Sequence, residues 1–561
     1  MEKFSDFIVK HKLAISIAFL VLTIIALVCL FFVPINSDII SYLPDDMTTS
    51  EGYAFLKQTF DMESDAIVAI QGASEQQMAE IAKKMQELEG VRENGITWYG
   101  TLDSFASMGN IGGIDASQLV EQIKNNPDVK KLFCPKDDIY TIMVQMSVAS
   151  STNEASSVLK QTKKIIESYG LEYAVGGSAE ISTNLLGTVV KEMPYFLIVA
   201  CIIAILVLVV TTTSFFEPVI LLTTLAISIF LNMGSNIILG DVSVITFATS
   251  AILQLALSMD YSIFLMHAFK EERRMCFDDR TAMKRAIPKT LSTVCASALT
   301  TVGGFIALVF MQFGIGADLG IVLAKGVLMS MLTVILLQPC LMLFTSKTTA
   351  KLEHPVHLPK FQKSAEVAIK GRKPMLAIAL IALVPMIYCG LSISYSYMKM
   401  DKDKSELSEV QQVVEVMGNS ILICAPNDKA SVHLDFIDEL KKIDNVSVVS
   451  SIYALAPEEM AEQLSLAIKW NLPQLKAYAN NGYVLYTLMI ETESESAEEG
   501  VLLQNVRDTL KKYFGDKYYI TGMAQAVNDL SVVTPKDFAL VSAISAVIIF
   551  IILMFSIRSA K

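Results

Sequence analysis

The hexapeptide ALSMDY, residues 256–261, lies within an apolar segment that runs from about 242 to 267. It places the carboxyl group of Asp260 inside a hydrophobic helix, and the stretch SIFLM (262–266) follows the motif. An ionised Asp at membrane depth costs on the order of several kcal/mol, so such a residue is functional by default. The alternative interpretation is that Asp260 has no special role, because it lies near the end of the helix and its side chain reaches water. Tyr261 can act as a relay hydroxyl or as an interfacial anchor. A protonatable carboxyl group in the membrane suggests proton-driven transport.

The composition is that of a polytopic membrane protein with sizeable soluble insertions. The chain has 561 residues, of which 53% are hydrophobic, and its mean hydropathy of +0.48 is too apolar for an ordinary soluble enzyme. Charged residues make up 18% and gather between long apolar runs. Residues 35–193 hold 12 Lys and Arg against 23 Asp and Glu. A soluble domain there is acidic, which excludes nucleic acid as an expected partner.

The eight cysteines do not suggest a metal site or a disulfide framework. The sequence contains no CxxC motif and no Cys/His spacing typical of metal ligands, so we interpret the cysteines as small buried hydrophobic residues. The soluble regions also lack a nucleophile–base arrangement and a Gly-rich phosphate loop. We therefore expect no cofactor, no metal and no enzymatic activity.

Apolar runs alternate with soluble stretches and divide the chain into seven segments. Four segments contain membrane helices, eight helices in all, and two are soluble domains. In chain order they are the N-terminus and first helix (1–34), a first soluble domain (35–193), a bundle of five helices (194–345), a cytoplasmic linker (346–373), a seventh helix (374–393), a second soluble domain (394–536) and an eighth helix with the end of the chain (537–561).

Basic residues predict the orientation of the helices. The loop 268–289 and the linker 346–373 each carry seven Lys or Arg residues, and Arg558 and Lys561 follow the last helix. With the N-terminus in the cytoplasm, all of these residues fall on the cytoplasmic side by parity. Both soluble domains are then expected to be extracytoplasmic, in a multi-pass protein of the cell membrane.

The end of the first soluble domain is repeated in the second. Residues 169–193 read YGLEYAVGGSAEISTNLLGTVVKEM, and residues 514–538 read FGDKYYITGMAQAVNDLSVVTPKDF at a constant offset of 345. Glu192 and Asp537 occupy matching positions. Each domain also shows the order β-α-β-β-α-β, which predicts a ferredoxin-like α+β fold. We interpret the chain as a parallel internal repeat, which is common in transporters.

The segment SMDYSIFLMHAFKEER (258–273) resembles the signature of the MMPL branch of the resistance–nodulation–division (RND) superfamily. In that branch an Asp-Tyr pair in a membrane helix runs into an acidic-acidic-Arg loop. SALTTVGGF (297–305) and Pro339 continue the pattern, whereas the leading glycine of the family motif is Ala256 here. The resemblance implies twelve membrane helices and two Asp-Tyr pairs. We therefore expect this chain to be a fragment, truncated after its eighth helix, of a protein of about 690 residues.

The resemblance also implies an RND-type architecture with two porter domains, and a proton-driven exporter of hydrophobic or amphiphilic molecules such as lipids or lipophilic drugs. Asp260 and Tyr261 would form the proton relay. Glu192 and Asp537 are candidates for the path of substrate or protons, although an acid at a helix N-terminus is favourable in any case. The expected partners are a lipid or other amphiphile, protons and the membrane. Whether the chain forms a homo-oligomer stays open.

Two other functions also stay open. Helices two to six resemble the five-helix sterol-sensing arrangement of RND relatives, which would suit a lipid sensor or scaffold without transport. An accessory of protein export shares the architecture as well. The Asp-Tyr motif and the acidic loop that follows it favour the exporter over this last alternative.

Overall fold

The computed structural model describes residues 2–103, 110–111, 114–276, 278–354, 369–391, 407–455, 458, 461–469, 475–492 and 495–557. Much of the predicted linker, the start of the second soluble domain, and Arg558 and Lys561 lie outside these ranges. Within them, eight helices are long and apolar enough to cross a membrane. They are α1 (Lys12–Leu30), α2 (Ser178–Thr211), α3 (Glu217–Gly234), α4 (Val244–Met275), α5 (Asp279–Ala307), α6 (Gly314–Leu336), α7 (Arg372–Leu391) and α8 (Met523–Ile557).

Several of these helices run past the ends that the apolar pattern predicts. α2 begins at Ser178 and not near residue 194, and Pro194 lies within it. α4 and α5 extend through the basic segment predicted as a loop, 268–289, so that only a short connection near 276–278 separates them. The stretch at the end of the predicted bundle, which was expected to finish at 345 as one helix, forms two helices, α6 and Gln338–Lys351. Pro339 lies in the first turn of the second helix, where its missing N–H costs no hydrogen bond.

Helices α3 to α6 form the centre of the membrane bundle, with α1 against α3 and α8 against α5. α1 and α3 cross at Gly234, where an added Cβ would lie 2.1 Å from the carbonyl oxygen of Ala26. On the other side of the bundle, Ile548 and Ile552 of α8 lie over Gly303 of α5. Glycine at these crossings lets the backbones approach closely, as is common between membrane helices. None of the residues described in α7 is buried.

Two antiparallel sheets form the two soluble units. The first α+β unit (64–176) has the spatial order β2-β3-β1-β4, and the second (420–521) has the order β6-β7-β5-β8, with the short strand Ala479–Asn480 beside β7. The strands are β1 (Ser64–Gln71), β2 (Val91–Trp98), β3 (Ile139–Met146), β4 (Glu172–Gly176), β5 (Ser420–Pro426), β6 (Val446–Ser450), β7 (Tyr483–Ile490) and β8 (Tyr519–Thr521). The helices are Glu75–Gln86, Ala116–Asn125, Pro127–Phe133 and Asn153–Glu167 in the first unit, and Ala430–Leu440, Ile452–Leu455, Ala461–Lys469 and Ala497–Phe514 in the second.

Local sequence signals account for the helix starts in these units. Ser74 accepts the N–H of Gln77, whose side chain accepts the N–H of Ser74 in return, which is a capping box. Thr152 and Ser496 each cap the helix that follows them by accepting an N–H three residues later. The capped helices then bury one face against their sheet.

A helix from the first half of the chain covers the sheet of the second unit. Helix Thr48–Phe60 follows α1 and lies against β8. Its Phe60 is fully buried in a cluster with Leu485 of β7. Gly52 approaches the strand so closely that a Cβ would lie 2.5 Å from the carbonyl oxygen of Ile520. The contact therefore depends on this residue having no side chain.

The reverse exchange covers the sheet of the first unit. Helix Glu409–Gly418 precedes the second sheet but packs against β1 and β4. Its Val410 and Val414 are buried in one cluster with Ile67 and Ala69 of β1. Each sheet is therefore covered in part by a helix from the other half of the chain.

Candidate functional site

Asp260 lies on an exposed face of α4. Ala256, Phe264 and His267 are exposed on the same face, at the spacing of three to four residues that one side of a helix requires. Within the described part of the chain, the carboxyl group of Asp260 makes no hydrogen bond and no ion pair. A charged group in this position needs a proton, a counter-charge or a polar partner if lipid surrounds it.

The side chain of Tyr261 points away from that of Asp260, into the core of the bundle. Its side chain is only 2% exposed and belongs to the apolar core of the bundle. Its hydroxyl lies 3.4 Å from Oγ1 of Thr301 on α5, a long hydrogen bond. The structure therefore separates the predicted pair: the phenol joins α4 to α5, and the carboxyl group of Asp260 faces outward.

Two contacts define the register between α4 and α5. Lys289 of α5 pairs with Glu271 and Glu272 of α4, with Nζ–Oε distances of 2.7 and 3.5 Å. Together with the contact from Tyr261 to Thr301, these ion pairs define an antiparallel packing of α4 and α5 in which Tyr261 lies level with Thr301.

The two matched acids, Glu192 and Asp537, have different surroundings. Glu192 is exposed on α2 and has no hydrogen-bond or ion-pair partner among the described residues. Asp537 of α8 is 2% exposed and accepts the backbone N–H groups of Gln312 and Phe313, at 3.0 and 2.9 Å. These donors immediately precede α6, so Asp537 joins α8 to the start of α6. A role for either acid in a path of substrate or protons stays a prediction.

The sequence analysis missed a buried polar cluster within the membrane bundle, which is centred on Gln254. Gln254 donates from Nε2 to the carbonyl oxygen of Gly326 (3.0 Å) and to Oγ of Ser330 (2.9 Å). Its Oε1 accepts from Nδ2 of Asn232 at 3.0 Å. Buried polar groups that satisfy one another in this way hold α3, α4 and α6 in a unique arrangement.

Lys325 of α6 extends this polar cluster. Its ammonium group donates to the carbonyl oxygen of Asn232, to Oγ of Ser235 and to Oδ1 of Asn236, at 3.0, 3.0 and 2.5 Å. These acceptors lie at the C-terminal end of α3, where a cation interacts favourably with the helix dipole. No carboxylate forms an ion pair with Lys325 within the described residues. The signal that sequence analysis overlooked is a single Lys in the apolar stretch IVLAKGVLM (321–329).

No group of three or more His, Cys, Asp or Glu side chains is placed to hold a metal ion in the part of the chain that the structure describes. The polar groups of the bundle include amides, hydroxyls, the ammonium group of Lys325 and the carboxyl groups of Asp260 and Asp537. This set can transfer or hold protons and bind hydrogen-bonding groups.

Comparisons with known proteins identify relatives over most of the sequence. The model of the MMPL family matches residues 41–362 and 393–561. The siderophore exporter MmpL5 of Mycobacterium tuberculosis is 25% identical over 261 residues, which is 43% of this chain and 27% of that protein. The sulfolipid-1 exporter MmpL8 of the same species is 28% identical over 139 residues, 25% of this chain and 13% of that protein. The membrane protein MJ1562 of Methanocaldococcus jannaschii is 39% identical over 93 residues, 17% of this chain and 24% of that protein.

A solved structure shares the fold. The cryo-EM structure of the hedgehog release protein Disp from the water bear Hypsibius dujardini matches with a TM-score of 0.52 and 11% identity, and the match covers 100% of this chain and 83% of that chain. At this identity the similarity concerns the fold alone. The matched parts span about a quarter or less of the length of the curated relatives.

Proposed function

Because the chain belongs to the MMPL family, whose members are membrane transporters and not enzymes, we propose that it works in a proton-driven exporter of hydrophobic or amphiphilic molecules. Related proteins of the family are exporters of a siderophore and of a sulfolipid. The chain is a multi-pass membrane protein. Lipid or a similar amphiphile is the substrate class that we propose for it, and protons are the proposed driving ion.

The observation that carries this proposal is the position of Asp260. Its carboxyl group lies in the middle of a long apolar helix, on a face that the described residues leave open. In lipid, an ionised carboxylate without a partner is strongly unfavourable, so this group must take up a proton or meet a polar partner. Repeated protonation and release at this position is the step that would couple proton flow to movement of the helices. Tyr261 supports the step by joining α4 to α5.

The two α+β units supply the second part of the proposal. Both have the same strand order, β-α-β-β-α-β connections and a long membrane helix directly after the last strand, α2 in one unit and α8 in the other. This correspondence supports a parallel repeat of ferredoxin-like porter domains. The basic residues near the connection between α4 and α5 support a cytoplasmic location for that end of the bundle and an extracytoplasmic one for both units, in the plasma membrane.

The test is transport by the full-length protein in cells. Asp260→Asn keeps the shape and hydrogen-bonding capacity of the side chain but cannot ionise, so it is expected to abolish protonophore-sensitive efflux of a lipophilic dye. Glu271→Gln is the matched control, because Glu271 lies on the same face of α4 but pairs with Lys289 near the end of the helix. It is expected to retain efflux. Unchanged efflux in Asp260→Asn, at equal amounts of protein in the membrane, would contradict the proton relay.

A further inference from the structure

A cavity opens where α2, α4, α6 and α8 meet the segment that follows α1. Its empty volume, which includes space open to solvent, is about 700 Å³. Most of its wall is apolar, with Ile245, Phe313 and Leu530 among the lining side chains. The cavity lies away from Asp260 and contains none of the residues proposed for the relay.

Two of the cavity walls come from corresponding positions of the repeat. On α2 the lining residues are Ser178, Ile181 and Ser182, and on α8 they include the residues at the offset of 345, Met523, Ala526 and Val527. The two walls are therefore equivalent in position but differ in chemistry. The α2 wall carries two hydroxyl groups, whereas the α8 wall is apolar.

The hydroxyl groups of the α2 wall already have partners. Oγ of Ser178 lies 2.5 Å from Oδ1 of Asp65, and Oγ of Ser182 lies 3.1 Å from Oγ of Ser150. These bonds secure the wall to the first α+β unit. The capacity for new hydrogen bonds must therefore come from another part of the lining.

That capacity lies in two adjacent residues at the polar end of the cavity. Ser37 is 3% exposed, and its hydroxyl group has no hydrogen-bond partner among the described residues. Asp38 is 8% exposed, and its Oδ1 accepts the N–H of Ile40 at 3.0 Å. Burial raises the pKa of Asp38, and hydrogen bonds from Ile40 and Ser150 oppose that shift. A carboxylate has about four lone-pair sites, so the Asp38 side chain can accept further bonds.

We propose that this cavity binds a single-chain amphiphile with a cationic, hydrogen-bond-donating head group, the head on Asp38 and Ser37 and the chain between α2 and α8. Among the described residues Asp38 has no ion-pair partner, so a ligand ammonium group would supply the missing counter-charge. The hydroxyl of Ser37 would gain the partner that it lacks. The apolar wall of α8 would cover the chain. This inference rests on the proposed function and names the head-group class that the exporter would accept.

The test measures binding to the full chain in lipid nanodiscs. Three fluorescent probes share a dodecyl chain and differ in the head group, which is an ammonium, a neutral sugar or a carboxylate. The wild type is expected to bind the ammonium probe best. Asp38→Asn keeps an acceptor for the N–H of Ile40. It is expected to lower the affinity for the ammonium probe by about tenfold, with little effect on the affinity for the sugar probe. Asp45→Asn, an exposed acid on the same segment, is the matched control and should bind all three probes as the wild type does.

A second variant tests the place of binding. Ala526→Trp fills the cavity from the α8 wall and is expected to lower the affinity for all three probes. Equal affinity of the wild type for the three probes, or a preference that survives in Asp38→Asn, would overturn the proposal, as would full binding by Ala526→Trp. Asp260→Asn should bind normally. If it abolishes efflux while Asp38→Asn leaves head-group preference unchanged, the cavity proposal fails and the proposed function stands.

Discussion

The buried ion pair between α3 and α4 allows a direct test of the packing of the bundle. Nζ of Lys270 lies 2.5 Å from Oε2 of Glu217, and their side chains are 20% and 1% exposed. Oε2 also accepts the N–H of Thr213 at 3.1 Å. Lys270→Met keeps much of the side-chain volume but leaves the Glu217 carboxylate buried without a cation.

The expected cost follows from this geometry. Removing one partner of a buried pair costs about 3–5 kcal/mol, because the remaining charge stays in a poorly solvated place. Lys270 is partly exposed, so water can replace some of its interaction and the lower end, about 3 kcal/mol, is expected. Adding Glu217→Gln to Lys270→Met removes the uncompensated charge. The double variant should therefore recover more than half of the lost free energy of unfolding.

Unfolding of the purified chain in mixed micelles, with increasing SDS, measures these differences. Lys284→Met is the matched control, since its ion pair with Asp6 joins side chains that are 44% and 61% exposed. Exposed pairs contribute little, so this variant should unfold with the wild type. If Lys270→Met is as stable as the wild type, or if the double variant is no more stable than Lys270→Met, the interpretation of a buried, structurally required pair is wrong.

Two further predictions concern packing and pH. Gly234→Ala should lower the free energy of unfolding by about 1–3 kcal/mol in the same SDS titration, because its methyl group would overlap the backbone of α1 at Ala26. Gly187→Ala in α2 is the control and should be neutral or slightly stabilising, since nothing lies within 4 Å of the new carbon. His433 is fully buried, its Nε2 accepts the N–H of Asp428, and burial lowers its pKa from 6.5 to about 4. The unfolded state therefore binds a proton between these two values while the folded state does not, so about 3 kcal/mol of stability should be lost as the pH falls from 6.5 to 4. In His433→Gln this loss should disappear from the pH dependence of thermal unfolding; the same loss in the variant would assign it to other groups.

The sequence predicted the membrane helices well where apolar runs are long, because hydrophobic length is a strong local signal. It also predicted the order β-α-β-β-α-β that the strands and helices of both α+β units follow. Helix ends were harder to predict. Pro194 and Pro288 both lie inside helices, since a packed bundle can compensate the backbone group that proline leaves unpaired.

The site was predicted only where a single residue carried the signal. Asp260 could be identified because a carboxyl group in an apolar run is rare. Its separation from the phenol of Tyr261 follows from the way in which α4 packs, which the motif does not encode. Lys270 was counted only among the basic residues that predict the cytoplasmic side, and its ion pair with Glu217 was not foreseen. Contacts of this kind join residues far apart in the chain, and a single sequence contains no direct record of them.

The exchange of helices between the two α+β units has a consequence for synthesis. The strands of the first sheet end at Gly176, but the helix that covers one of their faces begins at Glu409. At roughly 5–20 residues per second, a ribosome needs on the order of tens of seconds to add the intervening segment. During that time the apolar side chains of β1, Ile67 and Ala69 among them, lack the part of their native cover that Val410 and Val414 provide. The first unit therefore completes its packing only after the second half of the chain emerges, and a premature stop in between would leave part of an apolar sheet face exposed.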